Sequence, residues 1–249
     1  MDRMVYTALS GLRGQMAAQA SIANNIANAS TTGFKADRSA FQTMMIKGGA
    51  AFDSRAVNGE EVLDADRASG PIQSTGRSLD VAVTGNAWIA VQAPDGSEAY
   101  TRRGDLRITD TGVLETGDGF PVIGSGGPIT VPPAQKVSFS EDGSIAIIPI
   151  GAEPGAPPQV IDKLKLANPE GSNTVKGLDN LLRVKGGGVL PEDAEAKVAT
   201  GSLEGSNVNL TQALVDMIEN QRSYEVQANL LKEAKSMDES SASLMRMPG

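Results

Sequence analysis

Four carboxylates fall in one short stretch: Asp105, Asp110, Glu115 and Asp118. Two carboxylates flanking a sugar bond are the machinery of glycoside hydrolysis, one as acid and the other as base or nucleophile. A periplasmic carboxylate-dependent carbohydrate hydrolase is therefore one reading. The same acids also belong to turn signals, namely Gly104-Asp105, Asp110-Thr111-Gly112 and Gly117-Asp118-Gly119. In such turns Asp bonds the nearby backbone and Gly supplies positive φ. Ordinary hairpin chemistry thus accounts for these residues without a substrate, and it is the preferred reading. Asp-rich turns also suggest calcium, but the twelve-residue EF-hand ligand pattern is absent. The chain has no Cys and no His, which removes thiol nucleophiles, His-based triads and most transition-metal sites. The expectation is a protein that is not an enzyme and uses no cofactor or metal. A net charge of −8 argues against general binding to nucleic acid or anionic membrane.

The turns lie in a stretch of short strands. Leu79–Val83, Trp88–Val91, Tyr100–Arg102, Leu106–Ile108, Phe120–Ile123, Ile129–Val131, Val137–Phe139 and Ile145–Ile148 are apolar or alternating runs separated by Gly, Asp and Pro. That spacing predicts an antiparallel all-β unit. With 28 Gly and 4% aromatic residues, the core is expected to be thin and rich in turns.

The two ends of the chain have a different period. Leu210, Leu214, Met217, Gln221, Tyr224, Ala228 and Leu231 recur in steps of four and three, as do Val5, Leu9, Leu12, Met16, Gln19, Ala23 and Ile26. This is the spacing of a coiled-coil stripe. Asn209 suits the N-cap of the C-terminal helix, with Gln212 three residues on as a capping-box partner. Between Met4 and Phe34 the only charged residue is Arg13. A solvated helix carries mixed charge, so this one is expected to be buried among several neighbours. The Asn24–Asn28 and Ser30–Gly33 runs should end it, with Phe34 as an apolar anchor. Residues 36–70 show no clear period; Phe41, Met44, Met45 and Ile46 suggest a short helix and the rest a loose tract. The expected fold class is α+β: long N- and C-terminal helices as a coiled-coil-like pair, with an inserted antiparallel all-β domain. The expected boundaries are 1–35 and 201–249 for the helical ends, 36–75 for an extended linker and 76–200 for the β domain.

Several runs resemble one family. Asn24-Asn25-Ile26-Ala27-Asn28 with Thr31-Thr32-Gly33-Phe34-Lys35 resembles the N-terminal signature of flagellar rod, hook and hook-associated proteins. Gly70–Gly76 with Leu79–Val83, Tyr100-Thr101-Arg102-Arg103-Gly104-Asp105 and Gly119-Phe120-Pro121-Val122 resemble its rod and hook branch. Gly205–Leu210 with Met217-Ile218, Gln221-Arg222 and Tyr224-Glu225 resembles its C-terminal signature. Where the family often has Gly and paired Phe, this chain has Ala87, Trp88 and Ile89; residues 149–200 match poorly. The opening Met1–Ser10 looks most like the proximal-rod branch, with distal-rod and hook-type axial subunits as alternatives.

The resemblance implies a subunit of the basal-body rod, the shaft that crosses the periplasm and transmits torque. Its implied partners are copies of itself, other rod proteins and the flagellar type III export apparatus. No cleavable signal peptide and no transmembrane run is visible, in line with export of that kind and with no membrane insertion. The assembly residues expected on this basis are Leu9, Leu12, Met16, Ile26 and Phe34 with Leu210, Leu214, Met217, Tyr224 and Leu231. Asn24, Asn25, Asn28, Gln221 and Arg222 are expected to supply hydrogen bonds that fix register between subunits. A free coiled-coil module or adhesin would carry charged flanking positions, which the N-terminal helix lacks.

Overall fold

The computed structural model describes residues 2–46, 55–153 and 155–245. The chain divides into two compact units. The first comprises Met1–Ala27, Asp37–Asp64 and Asn209–Gly249; the second comprises Asn28–Ala36 and Ala65–Val208.

The first unit holds α1 (Asp2–Ala27), a two-stranded sheet of β1 (Asp37–Ile46) and β2 (Arg55–Ala65), and α2 (Leu210–Met245). The N-cap of α2 is Asn209, whose side-chain oxygen accepts the Gln212 amide at 3.2 Å. The Gln212 side chain does not return the bond; it turns along the helix to Asp216 at 2.8 Å. Only half of the expected capping box therefore forms.

The two helices meet along only part of the stripe that the spacing predicted: Met217, Tyr224 and Leu231 of α2 are on the contact side, while Leu9 and Met16 of α1 are not. On α1 the buried positions are Gly14, Ala18 and Ser21, again in steps of four and three. On α2 Ala213 is buried, while Met217, Asn220, Tyr224, Gln227 and Leu231 are half-buried. Between them Gln15 donates from Nε2 to Ser223 Oγ at 2.5 Å. A Cβ on Gly11 would come within 3.1 Å of Gln227 Oε1. Leu9 and Met16 are instead 43% and 59% exposed, and Leu210 and Leu214 are 48% and 46% exposed.

This corrects the expected fold class. The described residues contain eighteen strands in several sheets, with one helix at each end. They do not form a long coiled-coil pair with an inserted domain. The physical reason lies in the choice of face. Small residues allow two helix backbones to approach closely, so the Gly-Ala-Ser side of α1 turns inward and Leu9 and Met16 of its apolar stripe are left outside. The short helix expected at Phe41–Ile46 is also corrected, since that run lies in β1. The loose tract after it contains β2, and its portion at 47–54 lies outside the described residues.

In the second unit, β3 (Ile72–Ser74) and β4 (Val81–Thr84) lead into the central hairpin of β5 (Trp88–Gln92) and β6 (Glu98–Thr101). Two short pairs follow, β7 (Arg107–Ile108) with β8 (Leu114–Glu115) and β9 (Ile123–Gly124) with β10 (Gly127–Pro128). A three-stranded antiparallel sheet contains β11 (Ala134–Phe139), β12 (Ser144–Pro149) and β13 (Gln159–Lys163). Then β14 (Leu166–Ala167), β15 (Thr174–Lys176) and β16 (Leu182–Val184) join the hairpin in a five-stranded sheet ordered β14-β5-β6-β16-β15. Finally β17 (Lys197–Thr200) pairs with β4, and β18 (Ser202–Glu204) pairs with β3.

The apolar run of β5 is buried on both faces. Ile89 and Val91 point into the main core with Leu106, Leu114, Ile145 and Leu164. Trp88 and Ala90 point into a second, smaller cluster with Tyr100, Leu182 and Leu190. Period-two side-chain alternation produces this split.

Candidate functional site

Three charged side chains are buried together in the second unit. Glu204, on β18, is fully buried, and so are Lys35 and Arg102 within 2% of complete burial. Lys35 Nζ lies 2.6 Å from Glu204 Oε1 and also donates to the Ala68 carbonyl at 2.8 Å. Arg102 donates to Glu204 Oε2 at 2.9 Å, to the Val83 carbonyl at 3.1 Å and to the Gly85 carbonyl at 2.5 Å. The Gly70 amide completes the Glu204 carboxylate at 2.8 Å. Burial pulls both cations below their ordinary pKa, and the Glu204 charge opposes that pull. The anion is thus what makes two buried positive charges tolerable.

The backbone closes round this node. The Gly33 amide donates to the Glu204 carbonyl at 2.7 Å. Gly33 has φ of 68°, and a Cβ there would lie 2.5 Å from the Arg102–Arg103 peptide. Only glycine meets both conditions comfortably. Asn207 accepts the Ala36 amide at 2.7 Å and donates to the Asp66 and Ala68 carbonyls, each at 2.9 Å. Phe34 is buried under the Lys176 ammonium, which sits 3.9 Å from the ring centroid and donates to the Lys35 carbonyl at 2.7 Å. The Arg102 guanidinium lies 5.5 Å from the Trp88 ring centroid. Bulk at Trp88, where the resembling family carries Phe, therefore also serves this cation.

The expected assembly residues divide into three groups. Leu9, Met16, Leu210, Leu214, Gln221 and Arg222 are exposed. Leu12, Ile26, Met217, Tyr224 and Leu231 are half-buried. The rest are engaged within the chain. Asn25 accepts the Asp37 amide at 2.7 Å and donates to the Asp37 carbonyl at 3.0 Å, while Asn24 donates to the Asp37 carboxylate at 2.5 Å. Asn28 accepts the Thr31 hydroxyl at 3.1 Å in a local turn, and Phe34 is in the core of the second unit. On α2 a further row was not anticipated. Val215, Ile218, Val226, Leu230 and Met237 are 43–63% exposed, and at 3.6 residues per turn they lie opposite the side that meets α1.

Three of the four carboxylates, Asp105, Glu115 and Asp118, are engaged by arginines. Arg103 binds Asp105 at 2.7 and 2.9 Å and Asp118 at 2.6 Å. The Asp105 bonds raise the Arg103 pKa against its partial burial. Glu115 faces Arg107 at 3.3 Å. The ion pairs tie Asp118 to Arg103 and β7 to β8.

Lys35, Arg102 and Asn207 lie in the runs that carry the family resemblance but received no role from the sequence, and Glu204 lies outside those runs. Lys35 directly follows an anchor Phe and ends a stretch almost free of charge. A lone Glu between Leu203 and Gly205 is the matching signal.

Three family models match the chain: flagella basal body rod protein over residues 5–35, flagellar hook protein FlgE/F/G D1 domain over 82–147, and flagellar basal body rod FlgEFG protein C-terminal over 199–244. The chain is 38% identical over 240 residues to the flagellar basal-body rod protein FlgF of Salmonella typhimurium, covering 93% of each. It belongs to the flagellar basal-body rod protein family. The FlgF of Escherichia coli is 37% identical over 237 residues, again with 93% of each covered. The FlgG of Bacillus subtilis is 31% identical over 256 residues, covering 93% of this chain and 94% of that protein. Each of the three matched segments supplies one member of the buried node. Lys35 closes the first, Arg102 lies in the second and Glu204 in the third.

Proposed function

We propose that the chain is a non-enzymatic structural subunit of the flagellar basal-body rod, of the proximal, FlgF-like type, and that the exposed apolar faces of its terminal helices are its polymerisation surfaces. The observation that carries this is the placement of apolar residues. Leu9 and Met16 on α1, and Leu214, Val215, Ile218, Val226 and Leu230 on α2, are all left outside. Burying side chains of this kind contributes roughly 1.5–3 kcal/mol each, so several neighbours together give a large drive to assemble. The inner faces of the helices mix small, apolar and polar residues, and Gln15 Oε1, Asn220 Oδ1 and Gln227 Oε1 find no protein donor. Such a helix pair gains little by itself.

Family membership supports the same reading, with copies of this chain and other rod proteins as neighbours in a repeating, non-closing contact. Delivery through the flagellar type III export apparatus is part of the same reading. Leu214→Asp tests the proposal. Leu214 is already half exposed, so the substitution should leave the folded chain within about 0.5 kcal/mol of its parent. Incorporation into purified basal bodies should be lost; incorporation at the parental level would refute the assignment of this face.

A further inference from the structure

Glu204 joins parts of the second unit that are far apart in sequence. It is 169 residues from Lys35 and 102 from Arg102. The strands just before it run along the earliest part of the unit, β17 on β4 and β18 on β3. Loop amides do the same: Thr75 donates to the Gly201 carbonyl at 2.8 Å and Gly205 to the Pro71 carbonyl at 2.8 Å. Without residues 197–208, Lys35 and Arg102 would have no anion in contact, and Gly33, Ala36 and Gly70 would lose their acceptors. Uncompensated buried cations are strongly unfavourable, and half-buried amides without acceptors add to the cost.

We infer that Glu204 is a closing latch: residues 28–36 and the surroundings of Arg102 lock only when residues 197–208 arrive. A chain delivered from its N-terminus therefore cannot complete its β unit until almost all of it is present. This stands on the packing of the second unit alone and does not rest on the rod reading. Its consequence is a long interval in which the leading part of the chain remains open, which suits passage through any narrow conduit.

Pulse-labelled hydrogen exchange during refolding of the unaltered full chain tests the latch. The Gly33 and Gly70 amides should gain protection in the same kinetic phase as the Val198 and Gly201 amides. Protection of Gly33 or Gly70 in an earlier phase would overturn the inference. In the native state, Glu204→Gln should speed exchange at Gly33 and Gly70 by about 100- to 1000-fold, with the Ile89–Thr101 pairing region far less affected. Unchanged exchange at Gly33 would count equally against it. If that variant does not fold, the refolding experiment on the parent chain decides.

Discussion

The buried node carries two cations and one anion, and this imbalance predicts an unequal response to two neutralising substitutions. Glu204→Gln removes the one anion in contact among the described residues and leaves Lys35 and Arg102 facing each other in the core. Breaking a buried pair in this way costs about 3–5 kcal/mol. Lys35→Met leaves the Arg102–Glu204 bond at 2.9 Å in place. It also strands no acceptor, because Glu204 Oε1 keeps the Gly70 amide at 2.8 Å and the Ala68 carbonyl keeps Asn207 at 2.9 Å. Its expected cost is about 0–2 kcal/mol, the range for losing hydrogen bonds while keeping packing. The single Trp of the chain, Trp88, lies against Arg102, so fluorescence-monitored urea unfolding reads the unit that contains the node. Glu204→Gln should lower the midpoint by far more than Lys35→Met. An equal loss from the two variants, or a greater loss from Lys35→Met, would refute the charge argument.

Tyr100 gives a pH-dependent case. Its hydroxyl donates to Glu98 at 2.8 Å and accepts the Leu190 amide at 2.6 Å, and burial pushes its pKa up. A phenol raised in the folded state contributes stability that is fully present below the unfolded value of about 10 and is lost as pH climbs from there towards the folded value. Tyr100→Phe should flatten the alkaline limb of the stability profile, at a neutral-pH cost of about 1–2 kcal/mol; a limb of unchanged slope would contradict this. Gly33→Ala combines a left-handed backbone with a Cβ in contact with the Arg102–Arg103 peptide. It should destabilise the second unit by about 2–5 kcal/mol in thermal unfolding.

Local chemistry was legible in the sequence wherever it is decided by neighbours in the chain. The N-cap at Asn209 forms as its position suggests, and in the Asp-Gly turns at 95–96 and 142–143 Asp95 and Asp142 accept the hydroxyls of Ser97 and Ser144 two residues on. The run at Trp88–Val91 is a buried strand, as its composition implies. The inward faces of the helices were not legible. Positions 9 and 16 share one side of α1 and positions 11, 14, 18 and 21 share the other, with the same period. Spacing alone does not say whether apolar bulk or smallness governs the contact, and here smallness does. The strands at Asp37–Ile46 and Arg55–Ala65 lack period-two alternation, so nothing in their pattern announced them. The ionic node was hidden for a different reason: its acid stands 169 and 102 residues from the two bases, and single charges beside Gly or Phe look like surface residues.

Because each ion of the node comes from a different stretch of polypeptide, hybrids between relatives face a matching requirement. A graft that imports the head of one subunit and the tail of another keeps a sound centre only if the acid of the tail meets its arginine. One that exchanges the acid alone would produce a chain with normal surfaces and a ruptured interior.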